Sequence, residues 1–261
     1  MRLLYFLGAF SFAFSVAHAQ CAGTGAAEVI IPQIVDGGGW VTTIALTNLN
    51  PTSATTGLAL FQETGGGATQ PWNLNFQEMT SAQVLALTLS GGSTVFLHSP
   101  GTAPKATVGW GYFTVGGCGG GGVLGGYAIF TERVAGRPDQ EGTAEAALAA
   151  SRILVPFDDT NGAVTSMAIA NTGSPAIISV GLRTSDGTVS QLPAITLPNG
   201  GHLSFAFPAQ FPVSAGQAGL AEFYSASGSF SIIALRFSPG GAFTATPVYS
   251  ATGPPIIASA Q

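Results

Sequence analysis

Apolar and polar positions alternate along most of this chain, and the same alternation is written twice. Ile44, Leu46 and Asn48 stand two apart, and so do Met167, Ile169 and Asn171. That period puts successive side chains on opposite faces and predicts half-buried strands. Thr56, Leu58 and Leu60 match Ile178, Val180 and Leu182 in the same way. Turn residues separate the runs: Asp36-Gly37-Gly38-Gly39 answers Asp159-Thr160-Asn161-Gly162, and Asn48-Leu49-Asn50-Pro51 answers Asn171-Thr172-Gly173-Ser174-Pro175. Asn and Gly accept left-handed backbone there, and Pro fixes φ.

The two copies run over residues 29–146 and 153–248. Ile31-Pro32 opens the first and Val155-Pro156 the second. Further on, Val108, Trp110 and Tyr112 are matched with Leu220, Glu222 and Tyr224. Tyr127-Ala128-Ile129-Phe130 is matched with Ile232-Ile233-Ala234-Leu235, and Thr143-Ala144 with Thr244-Ala245. The first copy is longer, mainly in residues 65–86 and 116–126. An internal repeat of this length defines the architecture. About seven short strands per copy, parted by turns, predict an all-β fold of two tandem β-sandwiches. The expected division is a signal peptide at 1–19, unit one at 20–146, a linker at 147–152, unit two at 153–250 and a tail at 251–261. The tail segment Gly253-Pro254-Pro255-Ile256-Ile257 reads as an extended stub or a strand offered to a partner.

The signal peptide is read from Arg2, the apolar stretch 3–16 and the small-x-small site Ala17-His18-Ala19. It implies an exported chain, secreted or periplasmic, with no transmembrane segment left after cleavage. An oxidising compartment permits a disulfide between Cys21 and Cys118, the only cysteines. The alternative for Cys21 is lipidation next to the cleavage site. Charge is scarce: Asp, Glu, Lys and Arg make up 7% of the chain, against about 25% in an average soluble protein. Removing residues 1–19 takes Arg2 and leaves six basic against twelve acidic side chains. No basic patch exists to meet nucleic acid.

Catalytic parts are few. The chain has no nucleophile elbow and no metalloprotease helix motif, and it is expected not to be an enzyme. Charge concentrates in residues 132–159. There Asp139, Glu141, Asp158 and Asp159 are candidates to gather oxygens around calcium, the one possible cofactor. The same carboxylates are the parts a sugar hydrolase would use. Against both stands a solvated junction with Arg133, Arg137 and Arg152 paired to carboxylates. Trp72, following Gln70-Pro71 in a long loop, is the first candidate ligand contact, and Trp40 the second.

Ile169-Ala170-Asn171-Thr172-Gly173-Ser174, Asp186-Gly187 and Leu197-Pro198-Asn199-Gly200-Gly201 carry a resemblance. The pattern resembles immunoglobulin-like domains of secreted bacterial proteins, including the cell-adhesion-related domain found in bacteria. The whole repeat is similar to exported bacterial tandem sandwiches without assigned activity. The resemblance implies an Ig-like fold and a non-catalytic binding or adhesion module, with a glycan or surface protein as partner. Self-association into a surface layer or fibre is the second reading, because few lysines guard the strand edges. A carboxylate-dependent hydrolase is the third.

Overall fold

The alternating runs become strands in a computed structural model that describes residues 27–115 and 124–258. In the first half these are β1 (Ala27–Asp36), β2 (Trp40–Asn48), β3 (Ala54–Gly65), β4 (Ala68–Pro71), β5 (Val84–Leu89), β6 (Thr94–His98), β7 (Thr107–Val115), β8 (Leu124–Glu132) and β9 (Gln140–Glu145). The second half holds β10 (Arg152–Asp158), β11 (Val164–Asn171), β12 (Ala176–Thr184), β13 (Val189–Leu197), β14 (His202–Ala206), β15 (Ala218–Tyr224), β16 (Phe230–Phe237), β17 (Phe243–Thr246) and β18 (Tyr249–Ser250). Among the described residues helix is confined to α1 (Phe207–Gln210) and a 3-10 turn at Pro212–Ser214. The fold is all-β and antiparallel throughout the described pairs. The signal-peptide residues, Cys21 and Cys118 lie outside the described residues.

The repeat reappears as topology. One sheet of the first half runs β1-β7-β3, with β4 and β5 both on β3; the other runs β6-β2-β8-β9. The second half repeats them as β10-β15-β12-β13 and β14-β11-β16-β17, with β18 added on β10. In each half the two sheets close on one core. Ile31, Leu58 and Phe113 meet Ile44, Leu46 and Phe130 in the first. Val155, Val180 and Phe223 meet Met167, Ile169 and Ile232 in the second.

Pairing corrects the sequence matches in the later strands. Phe113 lies opposite Leu58 and Phe223 opposite Val180. The equivalents of Trp110 and Tyr112 are therefore Leu220 and Glu222, two residues from the expected match. Ala128 faces Ile44, and Ala234 faces Met167. The expected match of Ala128 with Ile233 is thus one residue out, which would turn every side chain to the wrong face. Likewise Ala144 pairs with Ala128 and Thr246 with Ala234, so Ala144 answers Thr246 rather than Ala245.

Two asparagines pin the repeat. Asn48 donates from Nδ2 to the carbonyls of Thr52 (2.8 Å), Leu89 (3.1 Å) and Ser90 (3.2 Å). Asn171 donates to those of Ser174 (2.9 Å), Leu197 (3.5 Å) and Pro198 (2.8 Å). Each Oδ1 accepts the amide two residues on, from Asn50 and from Gly173. Both side chains are fully buried. Asn171→Ala leaves several of these buried groups unpaired and is expected to cost about 2–3 kcal/mol in urea unfolding. Asn48→Ala should behave alike.

Candidate functional site

Four places among the described residues are candidates for function: the seam between the halves, one outer sheet face, the 132–159 charge cluster and the C-terminal clamp. The seam forms because the β14-β11-β16-β17 sheet is apolar on both sides. Met167, Ile169, Ile232 and Ala234 point into the second core, while Ala168, Ile233 and Phe243 point into the first. Accordingly β16 reads as a nearly continuous apolar run, as doubly covered strands do. Gly142 on β9 leaves room for the Phe243 ring; a Cβ there would sit 2.6 Å from it.

Polar contacts close the seam at the β14 end. Gly200 offers its carbonyl to Thr69 Oγ1 (2.7 Å) and to Trp110 Nε1 (2.9 Å). Trp110 is 2% exposed, packs with Ile30 and Ala170, and stacks on Phe61 at 4.8 Å. His202 is fully buried, with its backbone N–H donating to Gly67 O (3.0 Å). Its Nδ1 lies 3.1 Å from Glu63 Oε2 and its Nε2 3.1 Å from the Pro32 carbonyl. Farther along the seam is a cavity of about 320 Å³ walled by Trp40, Val108, Phe130, Phe205 and Phe237. Trp40 is half-buried there and lies 5.5 Å from the Phe243 ring.

Trp72 is not the exposed loop ring expected of it. It is 7% exposed and belongs to the first core, with Leu74 and Phe76 beside it. Its amide donates to Leu60 O, so the chain stays extended past β4 and alternate side chains turn inward.

The outer face of β6-β2-β8-β9 is built differently. Phe96, Ala45, Tyr127 and Glu145 form one cross-strand row, and His98, Thr43, Ile129 and Thr143 the next. Thr47 and Thr94 close the end of the face, their hydroxyls 2.9 Å apart. Phe96 is 42% exposed, Tyr127 is half-buried, and Ala45 between them is covered completely. The face is thus a shallow platform of two rings on an alanine floor, ringed by hydroxyls. His98 stands at its edge with Nδ1 2.5 Å from Glu78.

In the 132–159 segment each expected calcium ligand has a partner of its own. Asp139 meets Arg133 at 3.4 Å on the surface, and Glu141 accepts from the Thr131 hydroxyl at 3.1 Å. Asp158 accepts from Thr160 Oγ1 (2.6 Å), Thr160 N (3.1 Å) and Arg236 Nε (2.8 Å). The Thr160 hydroxyl and amide, then Arg236, hold its carboxyl below the usual range. Asp159 is buried and accepts from Thr165 N (2.6 Å) and Ser214 Oγ (2.8 Å). Burial pushes its carboxyl up, against those hydrogen bonds. Asp36 has the matching place in the first half and accepts from Gly101 N at 2.7 Å. Among the described residues no three of His, Cys, Asp and Glu gather as a metal-holding group. Arg137 pairs with Glu132, and Arg152 with Glu222.

The last feature had no signal in the sequence. Glu222 on β15 accepts from Arg152 Nε (2.7 Å) and from the backbone amides of Ile256, Ile257 and Ala258. The tail, expected as an extended stub or a strand offered to a partner, is held on its own sheet through residues 256–258. No protein-family model matches the chain, and no curated protein matches it.

Proposed function

We propose that the chain is an exported, non-catalytic binding module of two tandem Ig-like β-sandwiches, and that its β6-β2-β8-β9 face binds a glycan. The supporting observation is the exposed Phe96–Tyr127 platform with its rim of threonine hydroxyls. Aromatic faces stack on the C–H face of a sugar, and hydroxyls exchange hydrogen bonds with its rim. The Ig-like reading draws on the β2–β6 and β3–β7 pairs, which correspond to the B–E and C–F pairs of that fold. Its departure is that β1 lies beside β7 and β8 beside β2, so the first and last strands exchange sheets.

Self-association is the second reading, favoured by the scarcity of charge. Three strands at the sheet margins carry a proline: Pro32 in β1, Pro71 in β4 and Pro193 in β13. A proline cannot donate to an added strand, so it blunts edge pairing. That weighs toward the glycan.

Binding of neutral polysaccharides, measured by calorimetry, tests the proposal. Phe96→Ala and Tyr127→Ala should each weaken binding roughly tenfold, the scale of a lost stacking contact. Unchanged affinity in both variants, or no binding by the native chain, would sink it. Light scattering across a concentration series would show open-ended growth if assembly were the function instead.

A further inference from the structure

We propose that the cavity in the seam binds a neutral, planar aromatic molecule carrying a hydroxyl, a phenol by class, whose O–H donates to Gln33 Oε1. The cavity holds about 320 Å³, at the small end of the roughly 300–1,000 Å³ of ligand sites. Trp40, Phe130, Phe205 and Phe237 give it aromatic walls. Among the described residues no charged side chain lines it, so an ionised ligand would lose its hydration there without a counter-charge. Its lining includes Ala106, which is exposed, so the space opens to solvent. Trp40 and Phe130 lie on β2 and β8 but on the inner face, opposite to that of Ala45 and Tyr127. The cavity is therefore separate from the proposed glycan face.

Gln33 lines this cavity, and its Oε1 is buried with no hydrogen-bond partner in the protein. An acceptor buried without a donor costs stability, so its place in the wall calls for one. A bulge puts it there. Ile31 pairs with Gly111 and Ile34 with Gly109, so β1 advances three residues where β7 advances two. Bulges of this kind re-aim side chains. The matching strand of the second half, β10, runs against β15 without a shift, so the bulge is not part of the repeated fold. Ser166 and Ser204 come to the cavity from the second half. Ala168 lies opposite Ser204 and two residues from Ser166, so the three share the face that meets the first half. A ligand hydroxyl donates to Gln33 Oε1 and keeps lone pairs for a serine O–H, while its ring packs on the aromatic walls. A bare hydrocarbon would leave Gln33 unpaired, and a carboxylate would set its charge against the glutamine oxygen.

Isothermal titration calorimetry of the chain from residue 20 at neutral pH tests the site, with 2-naphthol, naphthalene and 2-naphthoate as probes. 2-Naphthol should bind at about one per chain, naphthalene about tenfold more weakly and 2-naphthoate not measurably. Gln33→Leu should weaken 2-naphthol about tenfold and tighten naphthalene, reversing the preference. It should also melt no lower than the native chain, because it removes the unpaired oxygen. Ser204→Phe fills the cavity and should abolish binding of both, with circular dichroism reporting its fold; if that variant does not fold, Gln33→Leu alone decides. No saturable binding of 2-naphthol by the native chain, an unchanged preference in Gln33→Leu, or full affinity in a folded Ser204→Phe would overturn the inference.

Discussion

Glu222→Ala should lower stability by about 3–5 kcal/mol and set the C-terminal segment free. The figure is that of breaking a buried ion pair by removing one partner. Arg152 would be left nearly buried without its carboxylate, with the Thr252 carbonyl at 3.0 Å as its remaining side-chain partner among the described residues. The amides of Ile256 and Ala258, now 3.0 Å and 2.7 Å from Glu222 Oε2, would lose their acceptor, as would that of Ile257. Gly181 forms the floor of this clamp; a Cβ there would stand 2.7 Å from Ala258 N. Denaturant unfolding reads the stability, and limited proteolysis reads the tail, which should be trimmed in the variant and protected in the native chain. Burial alone would raise the Glu222 carboxyl; the Ile256 amide, Arg152 and the next two amides outweigh it and hold it below its ordinary value. A depressed carboxylate stabilises above its unfolded pKa and loses that contribution as pH falls through the folded value. Acid should therefore loosen the tail.

Trp110→Ala should cost about 3–5 kcal/mol as well, the range for removing a buried large aromatic. The effect has a distinct signature because Trp110 lies on the seam. Its ring stacks on Phe61 in the first half and bonds Gly200 in the second. Removing it should uncouple the halves, so that one unfolding transition broadens or splits. Phe113→Ala is the comparison: equally buried in the first core but away from the seam contacts, it should lower the midpoint without splitting it.

The strand pattern of this chain was legible because alternation is local. Ile44, Leu46 and Asn48 declare their strand, and Asn48 and Asn171 mark the same turn in both halves. Register was lost after β6, where the loop to β7 differs in length from its counterpart in the second half and a slip of one or two residues is not penalised by pattern alone. Trp72, Leu74 and Phe76 show the opposite case. Their alternation is plain in the sequence, yet Gln70-Pro71 and the nearby glycines suggested a loop. The buried polar sites were not legible at all. Glu63 and His202 are 139 residues apart, and Glu222 meets amides 34–36 residues on. A carboxylate in a strand reads as solvated until its partners are seen. The Phe96–Tyr127 platform depends on which strand lies beside which, and that is set by long-range pairing.

Differential scanning calorimetry of the chain from residue 20 tests most directly whether the two halves share one interior. Ala168, Ile233 and Phe243 of the second half fill the first core, so one transition is expected, with van't Hoff and calorimetric enthalpies equal. Two well-separated transitions in the native chain would mean that the halves fold independently and that the seam does not couple them.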